Sequence, residues 1–259
     1  MHTIEEKKQA FERLLTVMDD LRAQCPWDKK QTFETLRHLT IEEVYELADA
    51  IMEGDKQEVK KELGDILLHM VFYAKIASET DDFDIADVLN GVCEKLIHRH
   101  PHIYGDVKVQ DAAEVSQNWE KLKLKEGNKS VLGGVPTSLP ALIKSMRIQE
   151  KARAVGFDWE KDEQVFEKVE EELNEFKAEV TNGDAQKAEE EFGDLLFALV
   201  NYARFKNINP EEALERTNKK FIRRFQFLEE KLKENNLSFD GLSLQEMDVF
   251  WNQAKQNGL

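Results

Sequence analysis

The sequence predicts an all-α protein made of two tandem copies of one helical bundle. Alternating runs of β-branched residues and short hairpin turns are scarce in its 259 residues, so strands are not expected. Apolar residues follow a helical period through most of the chain instead. An acidic pattern, Glu-Glu-x-x-Glu followed by Glu-x-Gly-Asp, occurs twice, and Glu172 lies 129 residues after its counterpart Glu43. The recurrence of the whole pattern in register indicates a duplicated domain.

Two sets of five acids define the candidate sites. They are Glu42, Glu43, Glu46, Glu62 and Asp65 in the first copy, and Glu171, Glu172, Glu175, Glu191 and Asp194 in the second. Residues three and four apart share one face of an α-helix, so each copy is expected to present carboxylates on each of two helices. A short turn at Gly54 and Asp55 is expected to make the two helices of the first copy antiparallel neighbours, so that their acids face each other.

Carboxylates held this close repel one another, and burying them without compensation is costly. Hard divalent cations prefer oxygen ligands. Each copy is therefore predicted to bind Mg²⁺, or alternatively Mn²⁺, through four carboxylates on two helices, with a fifth at the edge. A single Glu-Glu-x-x-Glu is typical of a solvated acidic helix face, but its repetition in register favours the metal site.

One glycine recurs with the acids, at Gly64 and Gly193. Glycine inside a helix lowers helix stability by about 1 kcal/mol relative to alanine. Its presence at the same position in both copies therefore indicates a specific role. A missing side chain allows a neighbouring helix or a ligand to approach closely. At both positions we therefore expect close approach of either a neighbouring helix or a ligand.

Composition excludes several classes of partner and location. The formal net charge of −16 disfavours binding to nucleic-acid backbones or anionic membranes. The two cysteines, Cys25 and Cys93, form neither a disulfide framework nor a zinc pattern. The first residues are charged and lack the apolar segment of a secretory signal, and the apolar stretch at 66–77 is too short to span a bilayer. A cytoplasmic protein is predicted.

The helices are predicted in chain order from apolar spacing and from residues that cap or end a helix. In the first copy they cover about 4–22, 30–53, 56–78, 85–99 and 111–126, and in the second about 142–154, 160–181, 185–206, 210–235 and a last helix after Ser243. Asp55, Asp84, Asn209 and Ser243 are predicted to begin helices as N-caps. Thr40 and Glu43 match a capping box, an alternative that metal binding by Glu43 would exclude.

A single stretch separates the two copies. Residues 127–140 contain three glycines and two prolines, which is typical of a linker. The predicted domains are therefore 1–126 and 141–259.

The repeat extends to basic and aromatic residues beyond the acids. Lys95 and Arg99 in the first copy correspond to Lys220 and Arg224 in the second, and Trp119 and Lys123 correspond to Trp251 and Lys255. Two cations on one helical face suit phosphate oxygens, and arginine can bind them bidentately. The alternatives stay open: the basic pairs could serve solubility or ion pairing, and the tryptophans could fill the core rather than stack on a base.

Taken together, these motifs resemble the MazG nucleoside triphosphate pyrophosphohydrolases. The features that carry the resemblance are the duplicated acids, Cys-Pro-Trp-Asp at 25–28 ahead of them and Arg-His-Pro-His at 99–102 after them. The resemblance covers essentially the whole chain. It implies helical bundles, a homodimer, and Mg²⁺-dependent hydrolysis of nucleoside triphosphates to the monophosphate and pyrophosphate, with water attacking the α-phosphorus. It also implies a role in removing surplus or non-standard nucleotides.

The resemblance also implies roles for single residues. The implied metal ligands are Glu43, Glu46, Glu62 and Asp65 in the first copy, and Glu172, Glu175, Glu191 and Asp194 in the second. Carboxylates that orient the water are expected among Glu42, Glu43, Glu171 and Glu172. The expected nucleotide contacts are Lys220, Arg224, Trp251 and Lys255, with Lys95, Arg99, Trp119 and Lys123 as their counterparts.

Both copies keep every acid, so the sequence leaves their relative activity open. The second copy is favoured as the active one, because the helix of the first basic pair ends in the run His98 to His102. That run is expected to cap a helix end rather than bind metal, since His98 and His100 are replaced by Arg223 and Phe225 in the second copy.

Two other functions are weighed against the hydrolase. A di-metal carboxylate oxidoreductase would use Glu-x-x-His motifs, and neither acidic set has a histidine at that spacing. A non-catalytic nucleotide sensor or scaffold that binds metal without turnover is the remaining alternative. Measuring metal-dependent nucleotide binding alongside turnover separates it from the enzyme.

Overall fold

A computed structural model describes residues 1–111, 114–115, 118–119, 122 and 130–259. These residues form helices and connecting turns, without a β-strand among them, so the predicted all-α class is confirmed. They divide into two compact units, Met1–Lys108 and Val109–Leu259. The predicted domains 1–126 and 141–259 with their linker remain a prediction, because residues 123–129 lie outside the described part of the chain.

The first unit is built around an antiparallel pair of long helices. Its helices are α1 (Ile4–Gln24), α2 (Phe33–Glu53), α3 (Lys56–Ser78), α4 (Ile85–Arg99) and the short α5 (Pro101–Tyr104). The turn between α2 and α3 uses Gly54 at φ +73°, a conformation that glycine adopts without strain. Asp55 then caps α3, since its carboxylate accepts hydrogen bonds from the backbone N–H groups of Gln57 (2.9 Å) and Glu58 (3.1 Å).

Helix α2 begins later than predicted. It starts at Phe33 because Thr32 caps it. Thr40 therefore lies inside α2, where its hydroxyl donates to the carbonyl of Leu36 (3.1 Å). The capping box at Thr40 and Glu43 is excluded, and the Glu43 carboxylate stays available for a ligand.

The second unit repeats the antiparallel pair. Within its described residues 130–259 the helices are α6 (Ala141–Ala154), α7 (Asp162–Asn182), α8 (Ala185–Phe205), α9 (Pro210–Glu234) and α10 (Leu244–Gln256). Gly183 at φ +78° and Asp184 form the turn between α7 and α8, each 129 residues after Gly54 and Asp55. The predicted caps Asp84, Asn209 and Ser243 are also confirmed.

Each unit has its own apolar core beside the helix pair. The buried clusters are Met18, Leu36, Val71 and Phe72 in the first unit, and Val169, Leu195 and Ala198 in the second. Helix α1 packs on α3 in the first unit, and α6 packs on α8 in the second. Of the helices described, none has the length and apolar character needed to cross a membrane.

An arginine–carboxylate pair in each unit ties the loop after the first helix to the end of the third. Arg22 of α1 binds Glu79, which follows α3, through two hydrogen bonds of 2.9 and 2.6 Å, and it also donates to the carbonyl of Gln31 (3.2 Å). In the second unit the polarity is reversed, because Arg204 of α8 binds Asp158 in the loop after α6. The two contacts fix the loops that contain Trp27 in the first unit and Trp159 in the second.

The recurring glycines do not serve helix packing within a unit. A Cβ added at Gly64 or Gly193 would meet no neighbouring atom within 4 Å. The prediction that these glycines let a neighbouring helix of the same chain approach is therefore wrong for the described residues. The open space leaves approach of a ligand or of another molecule as the explanation still to be tested.

Candidate metal centre

Three carboxylates converge between α2 and α3. Glu43 and Glu46 lie one turn apart on α2, and Glu62 faces them from α3. Each offers one oxygen, and these three atoms lie within 4.8 Å of one another. The antiparallel pair thus brings together acids that are distant in sequence, as the repeat predicts.

Glu62 is the buried member of this cluster. Its side chain is 1% exposed, and one of its oxygens accepts a hydrogen bond from the Nζ of Lys61 (2.9 Å). The other oxygen, Oε2, is buried without a hydrogen-bond partner in the described structure. An unpaired buried polar atom costs about 1–3 kcal/mol, so a cation ligated here would remove a penalty that the fold otherwise carries.

Two carboxylates of the first cluster have pKa values shifted in opposite directions. Burial raises the pKa of Glu43, and the charges of Asp65 and Glu46 raise it further. The neighbouring ammonium of Lys61 instead lowers the pKa of Glu62 and holds that carboxylate ionised. A divalent cation would relieve the repulsion that Glu43 experiences.

The second unit forms the same cluster. Glu172 and Glu175 lie on α7 and Glu191 on α8, and one oxygen of each falls within 4.8 Å of the others. Glu172 is the buried member at 7% exposure. The pKa of Glu175 is raised although its side chain is exposed, first by partial desolvation and then by its hydrogen bond with Glu172 and the charges of Glu172 and Glu191. The two clusters therefore share the convergence of three carboxylates, but the buried member lies on α3 in the first unit and on α7 in the second.

Two lysines that the repeat does not point to offset part of the negative charge of the clusters. Lys168 on α7 contacts Glu172 (2.7 Å) and Glu171 (2.8 Å), whereas Lys61 on α3 contacts Glu62 and Glu58 in the first unit. They do not occupy equivalent positions in the repeat, so comparing the copies could not reveal them. The spacing of Lys168 three and four residues before the acids was the available signal.

The remaining predicted acids lie outside the two three-carboxylate groups. Asp65 is half-buried on α3, and its charge acts on Glu43, which places it beside the first cluster. Asp194 is exposed on α8, and Glu42 is exposed on α2. Glu171 is held at the edge of the second cluster by Lys168. Metal binding by Asp65 and Asp194 and the orientation of water by Glu42 and Glu171 remain predictions.

The donor set of both clusters fits a hard divalent cation. All of the converging atoms are carboxylate oxygens, which Mg²⁺ and Mn²⁺ prefer. The clusters contain no sulfur or imidazole donor among the described residues, so a preference for soft metals is not indicated. The orphaned Oε2 of Glu62 is a ligand atom already placed in the interior.

Arg224 and Trp251 meet at the contact between α9 and α10. The guanidinium of Arg224 lies 5.9 Å from the centre of the Trp251 ring, and its Nε donates to the carbonyl oxygen of Leu259 (2.7 Å). Trp251 also packs against Phe221 at 5.0 Å between ring centres. Trp251 therefore has a packing role, as the alternative interpretation expected. Lys220 is half-buried one turn before Arg224, and Lys255 is exposed on α10.

The corresponding residues of the first copy are less completely described. Lys95 is exposed on α4, and Arg99 is half-buried at its end. Trp119 is half-buried in a helical segment, whereas Lys123 lies outside the described residues. Nucleotide binding by both sets of residues remains a prediction.

The histidine run ends α4, as predicted. His100 is the C-cap residue, and its Nδ1 lies 2.7 Å from the carbonyl oxygen of Leu96. His102 packs against His100 at 5.5 Å between ring centres. Capping by His100 is thereby confirmed.

Comparison with known proteins places the two clusters in a family. The family model for the MazG nucleotide pyrophosphohydrolase domain matches residues 31–104 and again residues 160–226. The chain is 44% identical to the nucleoside triphosphate pyrophosphohydrolase/pyrophosphatase MazG of Thermotoga maritima, over 95% of each chain. This chain belongs to the MazG nucleotide pyrophosphohydrolase family. The predicted family and the predicted tandem architecture are both confirmed.

Two further relatives of this MazG-family chain are similar to it over nearly its whole length. The nucleoside triphosphate pyrophosphohydrolase of Escherichia coli K12 is 42% identical, over 95% of this chain and 97% of that protein. The uncharacterized protein YabN of Bacillus subtilis is 47% identical over 98% of this chain, which covers 54% of that protein. The two-copy MazG arrangement therefore also occurs within a longer chain.

The two MazG matches enclose every predicted acid and both basic pairs. The first match extends from the loop before α2 to the end of α5, and the second from the loop before α7 into α9. Trp119, Trp251 and Lys255 fall outside the matches, which agrees with the packing role found for Trp251. The part shared by both copies is thus the helix pair with its acids and the helix that follows.

Proposed function

We propose that this chain hydrolyses nucleoside triphosphates to nucleoside monophosphates and pyrophosphate, with Mg²⁺ or Mn²⁺ held by its acidic clusters. The observation that carries the proposal is the convergence of three carboxylates between two helices, twice, in a chain of the MazG family. Relatives that cover nearly the whole chain are named nucleoside triphosphate pyrophosphohydrolases. Surplus or non-standard nucleotides are the proposed substrates.

Four carboxylates in each copy are the proposed metal ligands. They are Glu43, Glu46, Glu62 and Asp65 in the first copy, and Glu172, Glu175, Glu191 and Asp194 in the second. When bound, the cation supplies Lewis-acid stabilisation of the charge that develops on the phosphoryl oxygens. The ammonium groups of Lys61 and Lys168 each contact the buried carboxylate of their cluster, Glu62 and Glu172, and offset part of its negative charge.

Acids at the cluster edge are proposed to orient the attacking water. The candidates are Glu42 and Glu43 in the first copy, and Glu171 and Glu172 in the second. Glu171 is the better placed of the edge acids, because Lys168 holds its carboxylate next to Glu172. A carboxylate in this position accepts a hydrogen bond from the water and aligns the oxygen with the α-phosphorus.

Basic residues after each helix pair are proposed to bind the phosphates. They are Lys220, Arg224 and Lys255 in the second copy, and Lys95, Arg99 and Lys123 in the first. Trp251 and Trp119 are proposed as further contacts to the nucleotide. The hydrogen bond from Arg224 to Leu259 uses its Nε only. Because a guanidinium has five N–H donors, its Nη groups can still form a bidentate contact with phosphate.

Product analysis tests this proposal. The purified protein is incubated with Mg²⁺ and a panel of ribonucleotide and deoxyribonucleotide triphosphates, and the products are separated by chromatography. We expect the monophosphate and pyrophosphate in equal amounts, with formation abolished by chelation of the metal. Diphosphate and inorganic phosphate would overturn the pyrophosphohydrolase assignment. Metal-dependent nucleotide binding without turnover would favour the sensor or scaffold instead.

A homodimer is also proposed, from apolar side chains that the acid-bearing helices leave exposed. On α3 these are Leu63, Leu67 and Met70, and on α8 they are Phe192, Leu196 and Leu199, each more than 40% exposed. The two stripes recur with the same spacing of 129 residues as the acids. Burying such stripes would add hydrophobic stabilisation to an assembly. Sedimentation equilibrium of the full chain measures the oligomeric state.

The remaining proposals concern location and partners. We propose that the protein is cytoplasmic. Cys25 and Cys93 are both free, which is compatible with a reducing compartment. The net charge of −16 supports the proposal that neither nucleic acid nor an anionic membrane is a partner.

A further inference from the structure

One lysine contacts the buried carboxylate of each metal cluster. The Nζ of Lys61 donates to Oε1 of Glu62 at 2.9 Å. These two residues are adjacent in the sequence, and adjacent residues do not face each other on a helix, so helix spacing alone does not account for their contact. In the second unit the Nζ of Lys168 lies 2.7 Å from Oε1 of Glu172. In both clusters an ammonium therefore occupies one oxygen of the buried carboxylate.

A second carboxylate holds each of these ammonium groups from the solvent side. The Nζ of Lys61 also donates to Oε1 of Glu58 at 2.6 Å, and the Nζ of Lys168 donates to Oε1 of Glu171 at 2.8 Å. Both of these glutamates are exposed. Hydrogen bonds between two charged groups are stronger than neutral ones, and two such acceptors restrict where the ammonium can lie. Each lysine is therefore directed at the outer oxygen of the buried carboxylate.

The two oxygens of Glu62 have different surroundings. Its side chain is 1% exposed, and Oε1 is the oxygen that Lys61 binds. Oε2 is buried without a hydrogen-bond partner in the described structure. A cation held between α2 and α3 would meet Oε2 as the unoccupied acceptor of this side chain. Glu62 is therefore arranged to ligate a metal through one oxygen rather than two.

The two copies place their lysine at unrelated positions of the repeat. The 129-residue spacing relates Lys61 to Glu190, and Lys168 to Leu39, so neither lysine has a basic counterpart. The buried acid also changes helix, from α3 in the first unit to α7 in the second, and the lysine changes helix with it. The presence of a lysine thus follows the buried carboxylate and not the repeat, which indicates a role connected with that carboxylate.

The number of oxygens that a carboxylate gives to a metal affects which metal is preferred. Ca²⁺ takes about six to eight oxygen ligands in a flexible geometry and often binds both oxygens of one carboxylate. Mg²⁺ is smaller, requires a nearly ideal octahedron and keeps several waters, so single carboxylate oxygens suit it. A carboxylate with one oxygen held by an ammonium cannot give both oxygens to one metal ion without losing that contact. Such a ligand favours the smaller ion.

We propose that Lys61 and Lys168 are positioning residues that set the metal selectivity of the two clusters. Each occupies one oxygen of the buried glutamate, limits that glutamate to ligation through the other oxygen, and so disfavours Ca²⁺ relative to Mg²⁺. The inference rests on the proposed function, because it takes the two carboxylate clusters as the metal sites. It deepens that function by giving a role to two residues outside the acidic pattern.

Competition between metal ions tests the inference in the absence of nucleotide. Free Mn²⁺ is followed by its electron paramagnetic resonance signal while Mg²⁺ or Ca²⁺ displaces the bound ion, which gives the ratio of the two dissociation constants. Removing a lysine strengthens the binding of both ions through its charge, and the ratio cancels this common effect. We expect Lys61→Met and Lys168→Met each to shift the ratio about tenfold in favour of Ca²⁺, the lower end of the effect of losing a partner of a metal ligand.

Each cluster is measured by itself. Glu172→Gln with Glu175→Gln removes two ligands of the second cluster, so the remaining binding reports on the first cluster and Lys61. Glu43→Gln with Glu46→Gln leaves the second cluster for the measurement of Lys168.

Neighbouring lysines give the matched controls. Lys60 is exposed on α3 and donates to Oε1 of Gln57 (3.1 Å), and Lys177 is exposed on α7. Lys60→Met and Lys177→Met remove the same charge without touching a cluster and should leave the ratio unchanged.

An unchanged ratio in Lys61→Met or in Lys168→Met, even with both ions bound more tightly, would overturn the inference, as would an equal shift in the controls. Failure of the unaltered protein to bind Mn²⁺ would overturn it as well. A ratio that shifts as expected in a protein that hydrolyses no nucleotide would support the inference while the proposed function failed.

Discussion

Replacing Glu172 with glutamine is expected to lower the rate of nucleoside triphosphate hydrolysis by about 100-fold or more, in line with the loss of a group that holds a catalytic metal. Glu172 is buried, belongs to the carboxylate cluster of the second unit and contacts Lys168. Glutamine keeps the shape of the side chain but removes its charge. Steady-state kinetics with the best substrate of the nucleotide panel measure the loss.

The matched control is Glu43→Gln, which makes the same change in the first copy. We expect the hydrolysis rate to fall by less than about twofold, because the second copy is proposed to carry most of the activity. Loss of a ligand to a catalytic metal would lower the rate far more. Helix α9 of the second copy has 25 residues, whereas α4 of the first copy has 15 and ends at the histidine run. Equal losses in the two variants would show that neither copy dominates.

Replacing Arg204 with methionine is expected to lower the free energy of unfolding by about 3 kcal/mol, the lower end for breaking a buried ion pair. The side chain of Arg204 is 9% exposed and that of Asp158 is 20% exposed. Methionine keeps much of the apolar stem but removes both hydrogen bonds that Arg204 donates to Asp158, whose carboxylate keeps the backbone N–H of Trp159 (3.0 Å) and a longer contact with Arg153 (3.7 Å). Urea unfolding followed by circular dichroism measures the change.

Lys206→Met is the control for this stability prediction. Lys206 pairs with Asp162 close to Arg204, but the two side chains are 40% and 38% exposed. Exposed ion pairs contribute about 1 kcal/mol or less, so a loss within that range is expected. If the two variants unfolded with the same free energy, burial would not explain the strength of the Arg204 contact.

Much of the fold follows from local signals in the sequence. Asp55, Asp84, Asn209 and Ser243 were predictable as helix starts, because a cap depends on residues within one turn. The clusters were predictable because acids at helical spacing recur in register on two helices joined by a tight turn. The start of α2 was misplaced because Thr32 competes as a cap with the residues before it.

Other features depend on packing between distant segments. The orphaned oxygen of Gln149 arises only when α6 packs on α8 and Phe197 takes the amide nitrogen, and no spacing in the sequence shows this. Approach of a neighbouring helix at the glycines was wrong for the same reason, since the space around Gly64 depends on what packs there rather than on the local sequence. A comparison of the two copies does not reveal Lys61 and Lys168, because the counterpart positions hold Glu190 and Leu39.

Hydrolysis in ¹⁸O-labelled water tests the central claim most directly. Attack of water at the α-phosphorus, aligned by acids at the carboxylate clusters, places the label in the nucleoside monophosphate and leaves pyrophosphate unlabelled. Mass spectrometry of the two products from a single turnover distinguishes the positions. We predict label in the monophosphate alone. Label in pyrophosphate, or release of inorganic phosphate, would contradict the account.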